Sequence, residues 1–155
     1  MTGTLPLFET AACSERQWTA MNGNDVGREI ERDASVVLEE SLKLHRSLGP
    51  GLLESVYETL LADALIDRGL SVQRQQALGL RYGRRTFKEA YRVDLIVSDA
   101  IILEIKSIDQ VLPTHKKQLL TYLRLSKLKL GFLLNFGAPW MKQGITRIVN
   151  GLPGP

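Results

Sequence analysis

The sequence predicts an α/β domain of three layers, a mixed β-sheet flanked by helices. Three observations predict it. Two adjoining segments, Tyr91-Arg-Val-Asp-Leu-Ile-Val97 and Ala100-Ile-Ile-Leu-Glu-Ile-Lys106, are rich in β-branched and large apolar residues, and only Ser98 and Asp99 clearly separate them. Helical periodicity precedes this hairpin and resumes after it. A near-continuous apolar run, Leu128 to Phe136, then reads as a strand buried on both faces.

In chain order, residues 1–27 mix Thr, Ala, Asn and Gly without periodicity and are expected to form a mobile extension to a domain spanning 28–150. A first helix is predicted over 30–48, with Val37, Leu38, Leu42 and Leu44 or Leu48 as its apolar side. Gly49-Pro50-Gly51 breaks the chain, and a second helix over 52–68 is closed by Gly69. A weakly alternating strand over 70–80 turns at Tyr82-Gly83-Arg84 into the hairpin. A helix over 113–126 follows, starting near Pro113-Thr114. The long link between the 100–106 and 128–136 strands suits a right-handed crossover. Gly137-Ala-Pro139 ends the apolar run, Trp140 and Met141 are expected to cap the core, and 145–149 is a short edge strand. Residues 151–155 are expected to be a disordered tail.

Parity places the chemistry. Val93, Leu95 and Val97 in one strand and Ile101, Leu103 and Ile105 in the other are apolar at odd positions. If both odd sets face one core, the even set Asp94, Glu104 and Lys106 shares the opposite face. The simplest register sets Asp94 opposite Glu104 across a three-residue loop. Two carboxylates there supply hard oxygen ligands for Mg²⁺ or Mn²⁺, with the Ile105 carbonyl as a further candidate. Such a cation acidifies its bound water and neutralises charge on a phosphate oxygen, while Lys106 is placed to position that water or stabilise the transition state. Taken alone, this spacing also arises by chance on the solvated face of a hairpin, with Lys106 pairing Glu104.

Two other groups bear on the site. Glu54, Tyr57, Leu61 and Leu65 fall near one helical stripe, so Glu54 sits beside apolar residues where a metal or lysine would partner it; the alternative is a carboxylate at the stripe's edge that favours the helix N-terminus. His115, Gln118 and Tyr122 share a face of the 113–126 helix, suited to phosphate or metal-water contacts. The plainer alternatives are a half-buried tyrosine and an ordinary surface histidine.

From about Arg28 to Asn150 the chain resembles the GxxExxY protein family, whose motif stands here as Gly51-Leu-Leu-Glu54-Ser-Val-Tyr57. That family is similar to the PD-(D/E)XK nuclease superfamily, with Asp94 and Glu104-Ile-Lys106 matching its Asp and Glu-x-Lys elements. Gln118-x-x-x-Tyr122 resembles the helix motif of the superfamily's exonuclease branch. Val93 departs from the pattern, which has proline there. The resemblance implies a PD-(D/E)XK nuclease-like core and Mg²⁺- or Mn²⁺-dependent hydrolysis of phosphodiesters, with nucleic acid as partner and DNA ahead of RNA. It assigns Asp94 and Glu104 as metal ligands and Lys106 as the catalytic lysine. Glu54 becomes a further metal-site carboxylate, and Gln118 and Tyr122 would position substrate or water. The competing expectation is a nuclease-derived module that binds nucleic acid or a protein without catalysis.

At 155 residues and 44% hydrophobic content the chain can bury one ordinary core. No apolar run is long enough to span a bilayer, and the first thirty residues lack a basic start followed by an apolar core, so a cytoplasmic location is expected. Its one cysteine, Cys13, excludes an intramolecular disulfide and cysteine-ligated zinc or iron–sulfur clusters. Net charge is +3. Basic residues gather around the predicted turn (Arg81, Arg84, Arg85, Lys88) and along and after the 113–126 helix (Lys116, Lys117, Arg124, Lys127, Lys129), as phosphate backbones favour.

Overall fold

The computed structural model describes residues 23–151. Helix α1 (Gly23–Leu48) begins well before the predicted start at residue 30, so residues 23–27 are helical; residues 1–22, with Cys13, and 152–155 lie outside the described residues. Helix α2 (Glu54–Asp67) leads into β1 (Val72–Tyr82), β2 (Arg85–Val97) and β3 (Ile101–Lys106). Helix α3 (Pro113–Ser126), β4 (Leu130–Asn135), the single turn α4 (Met141–Gly144) and β5 (Ile145–Val149) complete the domain. The five strands lie in sequence order in one sheet, with β3 and β4 parallel and every other neighbouring pair antiparallel. This is the mixed α/β sheet that the element order predicts.

Two apolar layers cover the sheet. On one face Val37 of α1 and Tyr57, Leu61 and Leu65 of α2 pack on Leu95, Leu103, Ile105 and Phe132. On the other, Leu119 and Leu123 of α3 pack on Val93, Ile96, Ile102 and Leu133. The central strands are thus apolar on both sides, which is why β4 reads as an unbroken apolar run. Met141 is buried in the first core, whereas Trp140 is 71% exposed and caps nothing. Leu48, at the end of α1, is also exposed.

The β2–β3 register is Leu95↔Leu103, Ile96↔Ile102 and Val97↔Ile101, whose continuation sets Asp94 opposite Glu104. Ser98 and Asp99 both take positive φ, as a primed hairpin turn requires, and Ala100 N–H donates to the Val97 carbonyl. The parity argument fails at one residue. Val93 packs in the α3-side core, not with Leu95 and Val97, so alternation breaks at Asp94. On β1 the facing residue, Gln75, has φ 48°, and no pair forms there between Arg74↔Leu95 and Gln76↔Val93. A local irregularity in both strands turns Asp94 toward the β3 edge.

Beyond that break, residues 85–94 of β2 have only β1 beside them among the described strands. The observed β1–β2 hairpin is therefore longer than the predicted strands of 70–80 and 91–97, and it turns through Gly83 and Arg84.

The segment after β3 is held by close backbone approach. A Cβ on Gly137 would lie 2.4 Å from the carbonyl oxygen and 2.6 Å from the amide nitrogen of Ile108. Backbone cannot move aside as a side chain can. Gly137→Ala is expected to cost about 2–3 kcal/mol; urea unfolding of the full chain checks it, and an unchanged midpoint would contradict it.

Candidate active site

The site lies where β3 ends. Glu104 is on the α3 face of the sheet beside Ile102 and Leu133, and only 7% of it is exposed. Its Oε1 atom is buried and has no hydrogen-bond partner among the described residues. Burial, reinforced by the Asp94 carboxylate, pushes its carboxyl up to about 8, against a smaller pull downward from Lys106. A buried carboxylate oxygen with no donor is costly, and a cation is one of the few things that would satisfy it.

Asp94 is fixed from two sides. Its Oδ2 accepts the Ile105 N–H at 2.8 Å, and its Oδ1 accepts Gln75 Nε2 at 3.2 Å. Gln75 Nε2 also donates to Glu58 Oε2 at 2.7 Å, and Arg74 Nε reaches Glu58 Oε1 at 3.2 Å. Buried Glu58 on α2 therefore orients Asp94 through Gln75. The Ile105 carbonyl lies past the last β2–β3 pair, on the side toward which its own amide reaches Asp94.

Lys106 is half-buried and forms no ion pair within 4.0 Å among the described residues, so it does not pair with Glu104 as on a simple solvated hairpin face. Asn135 stands opposite it on β4. This buried amide accepts from the Ile108 and Gly137 N–H groups (3.0 and 3.1 Å) and donates to the Ile108 carbonyl at 2.9 Å, binding the loop that leaves the site. Asn135 and Glu58 escaped the sequence reading. The visible signals were a lone polar residue closing an apolar run, and a carboxylate one residue past a buried tyrosine.

Glu54 stands in the first turn of α2, as the alternative of a carboxylate at the stripe's edge expects. It is exposed, and its Oε1 accepts the Ser107 N–H at 3.2 Å. Ser107 Oγ donates to the Leu52 carbonyl at 2.6 Å. Tyr57 hydroxyl donates to the Gly49 carbonyl and accepts from Leu52 N–H, while its ring stacks on Phe136 at 4.5 Å. Gly51 supplies the φ of 110° that this loop demands. The Gly51, Glu54 and Tyr57 set thus fastens the α1–α2 loop to the residue after Lys106.

On α3, Gln118 Nε2 donates to the Tyr122 hydroxyl at 2.5 Å. Burial, then the Glu104 charge, raises the Tyr122 phenol above its ordinary value, so it remains a neutral hydroxyl facing the acidic cluster. His115 has a local structural part. Its Nδ1 accepts the Leu112 N–H and its own backbone N–H donates to the Leu112 carbonyl, closing the helix start.

The structure therefore brings Asp94, Lys106 and Tyr122 together around Glu104, with Gln118 held to Tyr122 and Glu54 bonded to Ser107, the residue after Lys106. No three His, Cys, Asp or Glu side chains among the described residues form a ready-made cage. The donor set is two carboxylates and a backbone carbonyl, hard oxygens suited to Mg²⁺ or Mn²⁺, and the orphaned Glu104 oxygen fits such an ion.

A carboxylate pair and a lysine at the end of a central strand, in a mixed sheet between helices, define a nuclease-type α/β domain. The chain belongs to the PD-(D/E)XK nuclease superfamily, whose family model matches residues 31–148. No curated protein and no solved structure gives a significant match. No helix among the described residues is long and apolar enough to cross a membrane.

Proposed function

We infer that the domain hydrolyses phosphodiester bonds in nucleic acid with Mg²⁺ or Mn²⁺, with DNA favoured as substrate. The buried Oε1 of Glu104, without a partner among the described residues and beside Asp94, is the observation that carries this reading. Asp94, Glu104 and the Ile105 carbonyl would hold the ion. When bound, it would neutralise charge on the scissile phosphate and make the attacking water more acidic. Lys106, with no carboxylate of the described residues in ion-pair reach, would hold that water and donate to the negative charge that builds on the phosphoryl oxygens. Water attacks phosphorus while the bond to the leaving oxygen breaks. Tyr122, whose hydroxyl accepts from Gln118, would keep its own proton to donate into the same space. Glu54 acts on the lysine end of the site through Ser107, and its exposed carboxylate also lies near enough to Glu104 to raise its proton affinity.

The test is cleavage of labelled single- and double-stranded DNA and RNA by the full chain with Mn²⁺, with Mg²⁺ and with chelator. Metal-dependent cleavage by the wild type, absent from Lys106→Ala, is expected. Equal cleavage by both would defeat the mechanism. Silence from a folded, metal-stabilised wild type would instead support a nuclease-derived binding module.

A further inference from the structure

The β1–β2 hairpin carries more than a connection. Residues 81–90 are exposed without interruption, and no helix or third strand among the described residues covers them. Two large aromatics sit there in water, Tyr82 at 79% and Phe87 at 49% exposure. The pairs Leu80↔Phe87 and Tyr82↔Arg85 place both rings on one face of the ribbon, with Arg85 beside Tyr82.

Charge is concentrated in the same place. Residues 77–88 hold Arg81, Arg84, Arg85 and Lys88 and no Asp or Glu, a charge of +4, so the other residues of this +3 chain sum to −1. None of these four cations forms an ion pair among the described residues. The first acid on the way back, Glu89, is engaged by Arg92.

The ribbon points the right way. β2 runs antiparallel to β3, so its residues before Asp94 extend past the end of β3 at which Lys106 lies. At about 3.3 Å per residue the tip stands roughly 30 Å from Asp94. Its root is secured to the site helix, because Tyr91 stacks on Tyr122 with ring centres 4.5 Å apart.

We propose that this ribbon is an arm for unpaired nucleic acid, Tyr82 and Phe87 stacking on bases while Arg81, Arg84, Arg85 and Lys88 hold the phosphates. Unpaired bases expose the faces that such rings require, whereas in a continuous duplex those faces are occupied by neighbouring base pairs. This deepens the nucleic-acid reading of the site and rests on it, naming the substrate as one with a single-stranded stretch.

Binding of the full chain to a fluorescent oligodeoxythymidine of about 20 nucleotides and to a duplex of equal length tests the arm, with chelator present so that no cleavage is needed; stacking is a recognised source of single-strand affinity. Tyr82→Ala with Phe87→Ala is expected to weaken single-strand binding about 10-fold or more and duplex binding far less, with an unchanged thermal midpoint. Tyr82→Phe should retain binding. Arg84→Ala with Arg85→Ala should weaken both ligands and lower the salt dependence by about two counterions. Equal losses on both ligands from the aromatic variant would overturn the stacking role, as would no loss. A change from dimer to monomer with intact nucleic-acid binding would overturn it in favour of self-association. An inert Lys106 site would leave these binding outcomes readable, and a silent arm would leave metal-dependent cleavage readable.

Discussion

Glu104→Gln is expected to stabilise the metal-free protein by about 4 kcal/mol at pH 8 and by almost nothing near pH 4.5. The folded-state carboxyl is raised from 4.5 to about 8 by burial and by Asp94. Below 4.5 the folded and unfolded chains both hold the proton, and Glu104 costs nothing. Between 4.5 and 8 the unfolded chain releases its proton while the folded chain keeps it, so stability falls as pH rises; above about 8 the penalty is complete. A neutral amide of the same shape escapes that penalty. Urea unfolding at pH 5 and pH 8 with chelator measures it, and a gain independent of pH would refute the assigned cause. Added Mg²⁺ or Mn²⁺ should reverse the order, stabilising the wild type and leaving the Gln variant unmoved. Because the bound ion displaces a proton, metal affinity should rise about tenfold per pH unit until it levels off near pH 8.

The second large effect is on catalysis. Asp94→Asn and Lys106→Ala are each expected to lower metal-dependent cleavage by about 10³-fold or more, the scale of losing a charged group that acts on the transition state. Both should fold. The side-chain amide of the Asp94→Asn variant would keep one acceptor for the Ile105 N–H and lose the weaker bond from Gln75, a cost of about 1 kcal/mol. The two variants part company at Glu104. Asp94 raises its proton affinity and Lys106 lowers it. Removing the first should therefore shift the pH at which Glu104 titrates downward, and removing the second should shift it upward. Carboxyl NMR titration of the two variants separates these outcomes; shifts in the same direction would show that the three groups are not one electrostatic unit.

Much of this arrangement is written in local pattern. The β2–β3 register was legible because both strands are buried and tightly turned, so parity and a three-residue loop leave one simple alignment. The role of Asn135 was not, because it depends on the loop after β3 folding back so that Ile108 and Gly137 meet its amide. Val93 misled because alternation holds only through a regular ladder, and Gln75 with its positive φ interrupts the ladder opposite Asp94. Glu58 was hidden by its neighbour Tyr57, whose stripe accounts for the helix without it. The hairpin arm was visible only as a basic cluster. Both its faces meet water, and period-two alternation requires one face to be dry.

The loop fastened by Gly51, Glu54 and Tyr57 bears on how relatives should be interpreted. Selection can keep these three residues for holding α2 to Ser107 even in a descendant that no longer hydrolyses anything. Their presence in another chain is a mark of ancestry and architecture. Retention of the residues aligned with Asp94, Glu104 and Lys106 is the separate inheritance that speaks for chemistry, and the two can be lost at different times.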